Sequence, residues 1–172
     1  MSNPWIRGTP TVWPNGPGQP TDHLTSLANG HALGLGKLWA ENISLVTPLG
    51  DLILPPWEIT TGSGSVAGTI SRYLLASEDG TLWTGGIDPT SSSDQSALLS
   101  AMLTYDGANA ALIDSITVSA PATPYYFRWR SLQAMLSNVP KYISVVVYNQ
   151  SGQALSAASG NHTAQYVSES YA

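Results

Sequence analysis

Three histidines, His23, His31 and His162, are the residues best suited to metal or acid–base chemistry in a chain without cysteine. Zinc needs several such ligands brought together, and in sequence that need shows as HxH or HExxH spacing. The three histidines have neither spacing, so each is expected at a turn or on the surface. Nucleophilic serine chemistry would show as a GxSxG elbow. The abundant serines never form one, and Gly62-Ser63-Gly64-Ser65 reads as loop. Glu78 and Asp79 are adjacent, so at a strand end they point apart and do not converge as an acid–base pair. Asp88 and Asp94 lie in a serine-rich stretch but lack the dense oxygen spacing of a calcium loop. Asn161-His162-Thr163 matches a glycosylation sequon. The N-terminus lacks the basic-then-apolar layout of a signal peptide, and the match is read as chance. No catalytic residue, metal ligand or cofactor-binding residue is assigned. The chain is expected not to be an enzyme and to need no cofactor.

The tryptophans are the other candidates for recognition. Trp5, Trp13, Trp39, Trp57, Trp83 and Trp129 could form a stacking platform for sugar. Trp129 lies between Arg128 and Arg130, so in a strand its ring faces away from theirs and belongs in the core. Trp83, beside a turn, is expected to pack inward. Trp5, Ile6, Val12 and Trp13 stand in a stretch that also holds Pro4, Pro10, Pro14, Pro17 and Pro20. Prolines at that density forbid helix and interrupt ladders. Large apolar groups are costly to leave wet, so this arm either wraps its own domain or docks on a neighbouring subunit. Trp5, Ile6, Val12 and Trp13 are its interface candidates, because aromatic anchors bury much area at low entropic cost.

Composition narrows the classes. At 172 residues the chain suits one good core better than two. Charged residues make up 10%, far below the usual quarter or so, and the polar surface is mostly neutral. Such a surface can be buried against a partner without desolvating many ions. The net charge is −5 and the six basic residues are scattered, which argues against nucleic-acid binding. No apolar run approaches the ~18 residues of a membrane span. A soluble, cytoplasmically made protein is expected, and a particle assembled inside a cell fits equally well.

The elements that would position these residues are mostly strands. Lys141 to Tyr148 holds tyrosines, an isoleucine and three valines, with apolar side chains at both parities. A strand with one wet face would alternate, so this one is expected to be covered on both sides. Asn149 to Gly152 follows as a turn, with Gly152 free to take positive φ. Further strands are expected over 23–28, 51–54, 57–60, 66–76, 81–83, 112–118, 125–130 and 162–167. Turns are expected at Asn29-Gly30, 61–64 and Asp79-Gly80, loop over 85–96, and one helical turn over 132–136. The stretches 30–50 and 97–105 stay open between alternatives. Short strands separated by turns, with little helix, predict an all-β fold. The reading is an antiparallel β-sandwich, jelly-roll-like, over 23–172, preceded by an extended Pro-rich N-terminal arm over 1–22. A barrel is the structural alternative.

Four of these segments carry a resemblance. Ser26 to Gly30, Arg72 to Thr84, Ile113 to Ala122 and Pro140 to Leu155 are similar, in that chain order, to segments of small β-sandwich proteins encoded by tailed bacteriophages. The resemblance implies a non-enzymatic virion component. The leading expectation is a capsid decoration (cement) protein that binds neighbouring copies and the major capsid protein through its arm and loops. The alternative is a tail fibre or tail-associated adhesin, a carbohydrate-binding β-sandwich whose partner is a host-surface glycan. Self-association as a trimer or dimer, location in the virion, and no nucleic-acid or membrane partner complete the expectation.

Overall fold

In a computed structural model, the structure describes residues 5–13, 24–36, 38, 39, 51–83, 89, 110–136, 140–158 and 160–171. Their regular structure is strand throughout, apart from one 3-10 turn at Gln133–Met135. The strands are β1 (Trp5–Arg7), β2 (Thr11–Val12), β3 (His31–Gly34), β4 (Leu38–Trp39), β5 (Asp51–Leu54) and β6 (Glu58–Thr60). They continue as β7 (Gly68–Ser77), β8 (Ala110–Val118), β9 (Pro124–Tyr126), β10 (Arg130–Ser131), β11 (Tyr142–Gln150) and β12 (Gln165–Tyr171). Every pairing is antiparallel.

One sheet runs β1-β12-β5-β10, with β2 also on β12. The second runs β3-β11-β7-β8, with β4 also on β11. A short β6-β9 ribbon stands beside them. One hydrophobic core draws on both five-stranded sheets: Leu52, Leu54 and Val167 from the first, Ile70, Leu74, Ile143, Val145 and Val147 from the second. The arrangement is all-β and consistent with a β-sandwich.

β11 is the strand that the mixed parity predicted. It is flanked by β7 on one side and by β3 and β4 on the other. Residues Ile143 to Asn149 are buried without a break. Ile143, Val145 and Val147 enter the central core, while Val146 and Tyr148 join Ala32, Leu75 and Trp83 in a second cluster on the opposite face. Each fully buried valine or isoleucine contributes about 1.5–3 kcal/mol. Its buried polar groups are matched: Ser144 Oγ donates to Gly36 O at 2.6 Å, and Asn149 Nδ2 donates to Leu27 O and Gln153 O at 2.8 Å. Gly152 closes the strand at φ 84°, a conformation that favours glycine.

Several elements differ from the sequence reading, each for a local reason. Leu24–Ser26 is a turn, where a strand was expected over 23–28. Leu24 and Leu27 are both in the core, and residues three apart on a strand would face opposite ways. Thr81 to Trp83 forms no returning strand. The turn is instead held by Asp79, whose carboxylate accepts the Thr81 and Leu82 N–H groups at 2.8 Å. Those bonds, from Leu82 first and then Thr81, hold the Asp79 carboxyl well below the usual carboxylate range. The last strand begins at Gln165, with His162 contributing one isolated bridge to Ile59. The 3-10 turn falls where one helical turn was expected. The readings over 97–105, over most of 85–96 and over much of 40–50 lie outside the described residues.

Candidate functional site

The site begins at a double proline. The register pairs Tyr126 with Glu58 and Arg130 with Leu54, which sets Arg128 and Trp129 opposite Pro56 and Pro55. Neither proline has an N–H to donate, so the ladder breaks there. The single strand expected over 125–130 is therefore two pieces, β9 on β6 and β10 on β5. Phe127 turns into the core, and Arg128 and Trp129 both lie exposed. Trp129 is 48% exposed, which corrects its placement in the core: the inference from alternation needed an unbroken strand.

Behind the break lies a buried ion pair that the sequence reading did not single out. Arg72 on β7 is fully buried and faces Asp114 on β8, its cross-strand partner. Arg72 Nε donates to Asp114 Oδ1 and Nη2 to Oδ2, both at 2.9 Å. Nη2 also donates to Arg128 O at 3.0 Å. The guanidinium lies over the rings of Phe127 and Trp57, 4.3 and 4.7 Å from their centroids. Burial pushes the Arg72 pKa down, and the hydrogen bonds and charge of Asp114 pull it back. It stays charged because a guanidinium starts far above neutral pH. The register shifts at Arg72/Tyr73, whose partners are Asp114 and Leu112, so Ile113 is a bulge. The bulge turns both Ile113 and Asp114 inward, and Arg130 Nε donates to Ile113 O at 3.3 Å. Arg130 Nε also lies 3.7 Å from Asp114 Oδ2. Arg72, Asp114 and Arg130 thus tie the 128–130 segment to the neighbouring sheet. A signal existed in the sequence: one Arg and one Asp, each the single charged residue of its strand.

This network holds the wall of a groove of about 590 Å³ between β8 and the 125–130 segment. Ser115, Thr117, Tyr125, Tyr126, Arg128 and Arg130 line it. Tyr125 is fixed, its hydroxyl oxygen accepting the Ser119 and Ala120 N–H groups at 2.9 and 2.8 Å. Tyr126 is 58% exposed, and the Glu58 carboxylate raises its hydroxyl above the usual phenol range. Across Arg130, Trp129 and Ile53 form a shallower hollow. Trp, Tyr and Arg on a rigid scaffold are the residue types that carry binding energy at interfaces. The groove suits binding through stacking and charge-assisted hydrogen bonds.

The four arm candidates separate. Trp13 is fully buried in this chain's own core, edge-on to Trp57 and Tyr166 at 6.1 and 5.9 Å. Its backbone N–H donates to Ala164 O, and the Gly8 N–H donates to Ser168 O, so residues 5–13 of the arm lie along β12. Val12 is 47% exposed on the outer side. Trp5 and Ile6 belong to β1, paired with Tyr171 and Ser170. Val12 and Trp13 do not line the groove.

His162 is buried, where a turn or surface position was expected. Its Nδ1 accepts from Thr60 N at 3.4 Å, and Nε2 lies 3.0 Å from Ser156 O. The ring thereby satisfies two backbone groups as a neutral tautomer with the proton on Nε2. Burial lowers its pKa, partly offset by Ser156 O and Glu58. His31 is half-buried in β3, and His23 lies outside the described residues. Among the described residues no three His, Asp or Glu side chains group as a metal site, and no helix is long and apolar enough to cross a membrane.

No protein-family model matches this chain, and no curated protein matches it.

Proposed function

We propose that this chain is a non-enzymatic structural component of a tailed-phage virion, a capsid decoration protein with a jelly-roll-like body. One observation carries the reading. The four segments that resemble phage β-sandwich proteins are far apart in sequence and contiguous in space. Three of them supply β7, β8 and β11, consecutive strands of one sheet. The fourth joins them at the end of β11: Asn29 Oδ1 accepts from Gly152 N–H at 2.8 Å, and Leu27 O accepts from Asn149 Nδ2. A resemblance spread over one cooperative unit supports common architecture better than scattered turn motifs would.

In this reading the sandwich is a stiff, weakly charged body that clamps neighbouring subunits, and the chain self-associates as a trimer or dimer. The N-terminal arm over 1–22 presents its outer side, including Val12, to the major capsid protein. Trp13 then serves as the anchor that ties the arm to its own domain. The test is made on virions purified from the source of this chain. Mass spectrometry and antibody labelling should find the protein on the capsid shell in fixed ratio to the capsid protein. Absence from the particles refutes the proposal.

The exposed pair Tyr126 and Trp129 favours a second reading, a tail-associated adhesin that binds a host-surface glycan. Labelling at the tail, with none on the shell, selects it. Neighbouring tail genes, in place of capsid and protease genes, would point the same way.

A further inference from the structure

We propose that the groove between β8 and the 125–130 segment binds a carboxylate-bearing saccharide, with the Arg128 guanidinium taking the carboxylate. The proposal deepens the glycan-binding reading and takes its ligand class from it. The location and the charge requirement rest on the groove alone.

The first reason is charge. The chain carries −5 overall, yet three of its six basic residues, Arg72, Arg128 and Arg130, meet at this wall. Asp114 is the carboxylate in the lining, and both of its oxygens are taken by Arg72 at 2.9 Å. Glu58 stands further along, against Tyr126. Arg130 is fixed by Ile113 O and Asp114. Among the described residues the Arg128 side chain has no hydrogen-bond or ion-pair partner, although its own carbonyl is held by Arg72. A guanidinium whose backbone is pinned and whose fork is open is pre-organised for a planar, bidentate anion.

The second reason is the remainder of the lining. Thr117 offers a hydroxyl group, Ser115 Oγ is shared with Ser71 Oγ and Ile70 O, the Tyr126 hydroxyl stands against Glu58, and β8 ends its sheet among the described residues. A saccharide presents alternating hydroxyls to such a wall and apolar ring faces to an aromatic one. Tyr126 and, across Arg130, Trp129 supply exposed rings within the same segment. A volume of about 590 Å³ falls in the range of small-molecule sites and suits one or two sugar rings.

The test uses the full chain, with sialyllactose and a glucuronic-acid disaccharide as acidic probes and lactose and cellobiose as neutral ones. Amide NMR shifts over 114–117 and 125–130 report the site, and calorimetry reports the affinity. The acidic sugars should bind in this groove and the neutral ones markedly more weakly. Arg128→Ala should weaken acidic-sugar binding about ten-fold or more, the loss of one charge-assisted contact. Arg128→Lys should recover part of it, and the Arg128→Ala protein should melt like the parent. No shift with either acidic sugar overturns the proposal, as does equal affinity in Arg128→Ala. Competition by a poly-glutamate peptide at equal charge concentration also overturns it, because the groove would then read charge alone. Equal binding of neutral and acidic sugars, lost in Trp129→Ala but kept in Arg128→Ala, overturns the carboxylate requirement and leaves the glycan-binding reading standing.

Discussion

Replacing Asp114 by alanine should be among the most damaging single substitutions in this protein. It removes two bonds of 2.9 Å from a fully buried guanidinium. Arg72 would retain Arg128 O, the faces of Trp57 and Phe127, and an Nη1 that has no partner among the described residues. Breaking a buried pair from one side costs about 3–5 kcal/mol, because the remaining charge is stranded in low dielectric. For a chain of this size that is a fall in Tm of roughly 6–20 °C. The reverse change, Arg72→Met, should cost less. The Asp114 side chain is 6% exposed, and Arg130 Nε stands 3.7 Å away, ready to take over. Removing both charges should restore at least about 1.5 kcal/mol relative to Asp114→Ala alone, since a hydrophobic replacement of a buried pair is often neutral. Urea unfolding followed by tryptophan fluorescence measures all four proteins in one cycle. A loss of under about 1 kcal/mol for Asp114→Ala, or a double variant worse than the sum of the singles, would refute the stranded-charge reasoning.

Three other outcomes follow from the same geometry. Trp13→Ala should cost about 3–5 kcal/mol by opening the core between Trp57 and Tyr166. Trp13→Phe should cost clearly less, because among the described residues the indole N–H has no hydrogen bond to lose. Equal losses in urea titrations would show that the N–H matters. His162 is held neutral, with its pKa below the ordinary 6.5. The unfolded chain therefore binds its proton first, and stability should fall as pH drops below 6.5, levelling off once the folded form protonates. A Tm series from pH 8 to pH 5 should show that fall in the parent and a flatter profile in His162→Gln; identical profiles would exclude the role. Asp79, with its carboxyl held low, stabilises its turn above the ordinary value of 3.8 and loses that contribution as pH falls. Asp79→Ala should lower the Tm at neutral pH and remove that part of the acid sensitivity, which a melting series down to acid pH would check.

Much of the strand inventory was legible because β-branched and aromatic runs have few alternatives. β5, β7, β8 and β11 lie close to where composition placed them, and Gly152 takes the positive φ that its turn required. Two departures from local pattern share one cause, partners that are distant in sequence. Alternation places Trp129 inward, and alternation ends opposite Pro55 and Pro56, which are distant in sequence. Residue type places His162 outward, and it is buried because Thr60 N and Ser156 O need a partner there. Thr81 to Trp83 has strand composition, but the Asp79 carboxylate takes the Thr81 and Leu82 N–H groups into a turn.

The chain's residues alone specify an all-β body, a buried central strand and a weakly charged surface, since side-chain volume, β-propensity and charge are properties each residue carries with it. The pairing of Arg72 with Asp114, the burial of Trp13 within its own domain and the convergence of Arg128, Arg130 and Tyr126 on one groove belong to the tertiary structure. Those relations depend on register between strands tens of residues apart, and register is decided by which edges and which core positions remain unoccupied when the sheets close.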